Sequence, residues 1–167
     1  MARPIRVGIS HGDINGISYE IILKAVGAEG FTEVCTPVIF GTSKLVSFYR
    51  KALGIGDFYF RQVSSAEGVA DGEVNVVNIS NEDIKVVPGT PSAESGAAAL
   101  LSLEKATEAL LAGDIDVLVT APIDKNTIQG DGFRFSGHTE YLQSKAGDGA
   151  KSLMILFDDH VRVALVT

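Results

Sequence analysis

Short runs of β-branched and apolar residues, separated by segments with helical spacing, constrain this chain more than any other feature. The runs fall at residues 5–10, 36–40, 58–63, 74–79 and 116–120, each of strand length. Between them, residues 19–26 carry Ile21, Ile22, Ala25 and Val26 at helical spacing, and residues 43–53 carry Leu45, Val46, Phe48, Tyr49 and Leu53. The longest helical pattern, residues 92–111, opens on Ser92 as an N-cap candidate, has Glu94 in its first turn, and stops at Gly113. Its small residues at 96–99 suit close packing against a sheet. Strands alternating with helices predict a largely parallel sheet covered on both faces, so the expected fold is α/β, a three-layer α/β/α sandwich.

With 167 residues, 46% of them hydrophobic, the chain is long enough to bury one sizeable core. Its net charge is −7 and no run of Lys or Arg interrupts it, so nucleic acid and anionic membrane surfaces are not expected partners. The apolar stretch at 5–9 is too short for a signal-peptide core or a membrane span, and a cytoplasmic location is expected. Cys35 stands alone in an apolar stretch, where a small buried thiol is expected rather than a reactive one.

Residues 78–91 read as an ordered surface loop. After Thr120 the rhythm changes, and 121–137 is a long connection rich in Gly, Asp, Pro and Asn, of the kind that carries function. A domain division is expected there, with a first α/β/α domain at 1–128 and the beginning of a second at 129–167. Residues 153–157 and 161–166 flank Asp158-Asp159 as two antiparallel strands. A chain that reaches Thr167 while still in a strand reads as truncated.

Three segments can carry chemistry. The first connection, Ser10-His11-Gly12-Asp13-Ile14-Asn15-Gly16-Ile17-Ser18, follows a strand and precedes a helix, where α/β sheets collect ligands. Its spacing is that of neither a dinucleotide nor a P-loop fingerprint. Equally, Asp13 or Asn15 caps a turn and His11 lies on the rim. The second, Thr120-Ala121-Pro122-Ile123-Asp124-Lys125-Asn126, can point the Lys125 ammonium at an anion, or is a plain strand-to-helix turn with a solvated lysine. The third, Phe133-Arg134-Phe135-Ser136-Gly137-His138-Thr139-Glu140-Tyr141-Leu142, is the most informative. Gly137 permits an unusual backbone, and a helix opening at His138 and Thr139 offers free N–H groups, a proton carrier and a hydroxyl to a phosphate. Against this stands a helix merely capped by Ser136 or Thr139 with His138 exposed. The histidines at 11, 138 and 160 have no ligand spacing, and His160 beside Asp158 and Asp159 reads as a solvated corner, so no metal site is expected within the chain.

The pairing of Thr120-Ala121-Pro122-Ile123-Asp124-Lys125 with Phe135-Ser136-Gly137-His138-Thr139-Glu140 resembles the 4-hydroxythreonine-4-phosphate dehydrogenase family of pyridoxal phosphate biosynthesis. The first loop, Gly12-Asp13-Ile14-Asn15-Gly16-Ile17, and the strand Arg162-Val163-Ala164-Leu165-Val166-Thr167 fit the same pattern, the former weakly. The resemblance implies a fold like the isocitrate and isopropylmalate dehydrogenases, of which this chain is the N-terminal half. It further implies a homodimer, NAD or NADP, and a divalent metal, zinc or else magnesium or cobalt. The implied substrate is a small phosphorylated amino acid, 4-phosphooxy-L-threonine. It is oxidised to 2-amino-3-oxo-4-phosphooxybutanoate, which decarboxylates to 3-amino-2-oxopropyl phosphate. By resemblance His138 and Thr139 bind substrate, while the metal ligands lie past Thr167, leaving this chain inactive by itself. Ser18, Asp13-Ile14-Asn15 and Asp124 depart from the family's usual residues. Alternatives are a dehydrogenase of another phosphorylated four-carbon hydroxy acid, an acyl or phosphoryl transferase of similar fold, and a non-catalytic binding module.

Overall fold

The computed structural model describes residues 3–130 and 132–166. Its parallel strands are β1 (Arg6–Ser10), β2 (Thr36–Gly41), β3 (Arg61–Val63), β4 (Asn75–Asn78) and β5 (Val117–Thr120). They hydrogen-bond in the order β3-β4-β2-β1-β5, which puts the first strand inside the sheet and the fifth at its edge. The helices are α1 (Ser18–Val26), α2 (Phe31–Val34), α3 (Ser43–Ala52), α4 (Ala93–Ala112), α5 (Lys125–Ile128) and α6 (His138–Lys145). The three-layer α/β/α expectation holds. β3 is shorter than its apolar run because Phe58 leaves the ladder: its ring is buried in the core and its carbonyl accepts from Arg50 Nη1 at 3.1 Å.

Alternation along the strands divides the core into two layers. Ile9, Ile39 and Val76 cluster with Ile22 and Leu23 of α1 and with Leu45, Val46 and Tyr49 of α3. On the other face Val38, Phe40 and Val77 pack with Ala106 and Ala109 of α4 and with Ile115. Ser92 and Ser95 close α4's N-terminus reciprocally, and Gly113 ends it at φ 81°.

One expectation for α4 is corrected. Gly96 does not face the sheet; a Cβ there would overlap the Thr127 carbonyl, so the glycine seats α5 against α4. Ala99 and Leu103 of α4 join Ile128, Phe133 and Tyr141 in a third cluster, with Phe133 and Tyr141 ring centroids 5.7 Å apart. The division expected at 128/129 runs through this cluster.

β6 (Met154–Phe157) and β7 (Arg162–Leu165) form the expected antiparallel ribbon, with Met154 opposite Leu165 and Phe157 opposite Arg162. Asp158 Oδ1 holds its turn, accepting from the His160 N–H at 2.7 Å and the Val161 N–H at 2.8 Å. Both faces of the ribbon are exposed. Among the described residues no helix is long and apolar enough to cross a membrane.

Candidate functional site

The C-terminal ends of β1 and β5 lie side by side, Ser10 pairing with Thr120, so the two loops that follow run together. The Ala121 N–H donates to the Ser10 carbonyl at 3.1 Å, and the Asp13 N–H to the Pro122 carbonyl at 2.8 Å. Gly12 has φ +65°, and a Cβ there would overlap the Pro122 carbonyl. The room left by its missing side chain is therefore filled by the chain itself and is no cradle for a ligand.

His11, Ile14 and Asn15 of the first loop are likewise turned inward. Burial pushes the His11 imidazole down to about 4, although its Nδ1 bonds the Gly12 carbonyl at 2.8 Å. A neutral ring whose Nδ1 carries the proton fits this, and the ring stacks on Tyr19 with centroids 5.4 Å apart. His11 is thus a core group, not a rim group. Asn15 is buried too: its Nδ2 donates to the Thr90 carbonyl at 2.8 Å and its Oδ1 accepts from the Val87 N–H at 2.9 Å. The Gly89 N–H completes the clamp on the Asn15 carbonyl at 2.7 Å. Asp13 Oδ1 accepts from the Asn15 N–H at 2.9 Å, closing a side-chain turn. Asn15 orders the 78–91 loop, a role its sequence position did not suggest.

The second segment is a capped turn, with an addition. Asp124 Oδ1 accepts from the N–H groups of Asn126 at 2.8 Å and Thr127 at 3.0 Å, which starts α5 and leaves Lys125 exposed. Lys125 is close enough to His138 to act on its charge state.

His138 opens α6 and is half-buried. Neither Ser136 nor Thr139 caps the helix, since Gly137 stands at the N-cap without a side-chain hydrogen bond. Its φ of 178° is extended backbone open to any residue, so Gly137 is not there for conformational freedom. Burial, and next the Lys125 ammonium, lower the His138 proton affinity below that of a free imidazole. Its Nε2 is buried without a hydrogen-bond partner. A neutral ring with one unsatisfied nitrogen presents either an N–H or a lone pair to a ligand oxygen.

Thr139 points elsewhere. It lines a cavity of about 330 Å³ with Leu142, Gln143, Ala146, Leu153 and Met154, between α6 and the ribbon. The Lys125 ammonium thus acts on His138 through space, while Thr139 lies on a neighbouring cavity. A roomier space of about 680 Å³, lined by residues such as Phe58, Arg61 and Glu73, lies by the N-terminal ends of β3 and β4, away from these groups. His160 is exposed at the ribbon turn, and burial raises the Cys35 thiol, as a thiol without catalytic activation requires. Among the described residues no group of three or more His, Cys, Asp or Glu could hold a metal ion.

The family described as "Pyridoxal phosphate biosynthetic protein PdxA" matches residues 33–167. A 4-hydroxythreonine-4-phosphate dehydrogenase from Bacteroides thetaiotaomicron is 47% identical over 163 residues, covering 98% of this chain and 44% of the relative. A Cutibacterium acnes protein provisionally named D-threonate 4-phosphate dehydrogenase is 35% identical over 148 residues, covering 84% of this chain and 42% of the relative. The crystal structure of a 4-hydroxythreonine-4-phosphate dehydrogenase from Burkholderia phymatum superposes with a TM-score of 0.84 at 26% identity, covering 98% of this chain and 49% of that one. The chain spans about half the length of the curated relatives it matches.

Proposed function

Because the chain belongs to the pyridoxal phosphate biosynthetic protein PdxA family, we propose that it supplies part of the active site of a cytoplasmic dehydrogenase of 4-phosphooxy-L-threonine. The observation that carries this reading is the buried, unpartnered His138 Nε2 beside Lys125, at the end of the sheet where parallel α/β folds bind ligands. The Lys125 ammonium faces the phosphate, and the neutral His138 ring takes a substrate oxygen without adding a second cation. Thr139 offers its hydroxyl from the adjoining cavity.

In the proposed reaction the secondary alcohol gives a hydride to NAD or NADP and loses its proton, and the β-keto acid so formed releases carbon dioxide. The enzyme of this reading also uses a divalent metal, zinc, magnesium or cobalt. Among the described residues none form a set that fits it. Residues 1–128 form the first domain of this enzyme and 129–167 begin the second. The exposed ribbon supports a homodimer.

The test is to titrate 4-phosphooxy-L-threonine into the isotopically labelled chain. The expected result is a saturable shift of the His138 ring and Thr139 amide signals, with affinity lowered about tenfold or more in His138→Ala. Unmoved signals at millimolar ligand would overturn the reading. The Cutibacterium acnes relative gives a second reading, D-threonate 4-phosphate as substrate, and tighter binding of that compound would favour it.

A further inference from the structure

A serine in the first turn of a helix ordinarily turns to its own helix's backbone N–H groups. Ser18 does not. Its side chain is wholly buried, and its hydroxyl donates to the Pro122 carbonyl at 2.8 Å, across 104 residues of chain. The same carbonyl accepts the Asp13 N–H, so both of its lone pairs are engaged. At the other end of this short segment, Gly96 of α4 lies directly against the Thr127 carbonyl. The stretch from Pro122 to Thr127 is thus held at both ends by elements distant in sequence. Between the two holds, Asp124 fixes the turn that launches Lys125.

We propose that Ser18 is a positioning residue, whose hydroxyl latches the β5–α5 turn so that the Lys125 ammonium stands beside His138. The proposal rests on the reading of Lys125 and His138 as one ligand site. Without the latch the Pro122 carbonyl keeps only the Asp13 N–H, and the turn loses one of its two hydrogen bonds to the first connection. Among the described residues Lys125 makes no ion pair, so its place depends on the backbone that carries it.

The test follows the His138 ring through a pH titration by NMR in the 167-residue chain, alongside binding of inorganic phosphate. Lys125→Met sets the reference: its midpoint should rise by about half a pH unit, the effect of removing one unit charge several ångströms away. Ser18→Ala should move the midpoint in the same direction and weaken phosphate binding severalfold. Ser18→Cys puts a bulkier thiol, a poor donor, in place of the hydroxyl, and in the folded chain should shift the midpoint in the same direction as Ser18→Ala. Glu140 and Arg134, the charged groups nearest His138 in sequence, are retained in every variant. Thr36→Val, which removes a buried hydroxyl accepting from the Gly72 N–H at 2.9 Å, should lower the thermal midpoint without moving the titration. An unmoved midpoint in either folded Ser18 variant overturns the proposal, and so does an unmoved midpoint in Lys125→Met. If the midpoints shift as expected but wild-type chain binds no phosphate, the positioning role stands and the functional reading falls.

Discussion

Protonating His11 would place a charge at a site that is 1% exposed, against the ring of Tyr19. The folded chain therefore resists a proton that the unfolded chain accepts near 6.5. Stability is fully present above that pH and declines as pH falls from 6.5 towards 4, below which both states carry the charge. The interval corresponds to about 3 kcal/mol, to be read as urea midpoints across that range, with a shallower slope in His11→Gln. Tyr19 is the opposite case. Its hydroxyl is buried without a well-formed hydrogen bond, the Thr42 backbone being the group near enough to act on it, and burial raises its proton affinity. Tyr19→Phe should leave stability within about 1 kcal/mol of wild type, because the deleted group contributes no well-formed hydrogen bond. A loss of about 3 kcal/mol or more in urea unfolding would show that the Thr42 backbone holds the hydroxyl in full.

At the scale of elements, α4 ties the sheet to α5 and to the cluster around Phe133 and Tyr141. Alanine is the better helix former, by about 1 kcal/mol, yet Gly96→Ala should destabilise the chain by about 1–3 kcal/mol, because the new methyl meets the Thr127 backbone. Ser92→Ala, which opens the reciprocal cap, should cost about 1 kcal/mol. Thermal unfolding of both variants separates a packing penalty from a capping one. The strands and long helices were legible because each is written locally, in the apolar and β-branched runs of 36–40 and 74–79 or in the Ser92-to-Gly113 frame. α5 was not, since a single turn owes its existence to the Asp124 cap and to the space at Gly96. Nor could composition tell that the polar groups of His11 and Asn15 are spent inside the fold while His138 Nε2 is left open. His138 and Thr139 were legible as motif residues. Their divergence onto separate surfaces, and the approach of Lys125, follow from the aromatic packing of Phe133, Phe135 and Tyr141 that seats α6. Those aromatics, spaced around Gly137, were the signal available in the sequence.

For the whole molecule, the ribbon sets the behaviour in solution. Met154, Leu156, Val163 and Leu165 share one face, and all are exposed. A two-stranded ribbon is marginal in water without a surface to cover it. The chain should therefore self-associate with rising concentration in sedimentation velocity, and the double variant Leu156→Lys, Val163→Lys should remain monomeric at the same concentration. The strand order has a consequence in time as well as space. Synthesis delivers β1 first, yet one flank of that strand pairs with residues 117–120. On the ribosome an inner strand stands half-dressed while some hundred further residues emerge, and its loop cannot meet the Pro122 carbonyl until residues 117–120 have paired. The turn that launches Lys125 is thus fixed only when the sheet closes beside it, so a half-made chain does not display that lysine in its final place.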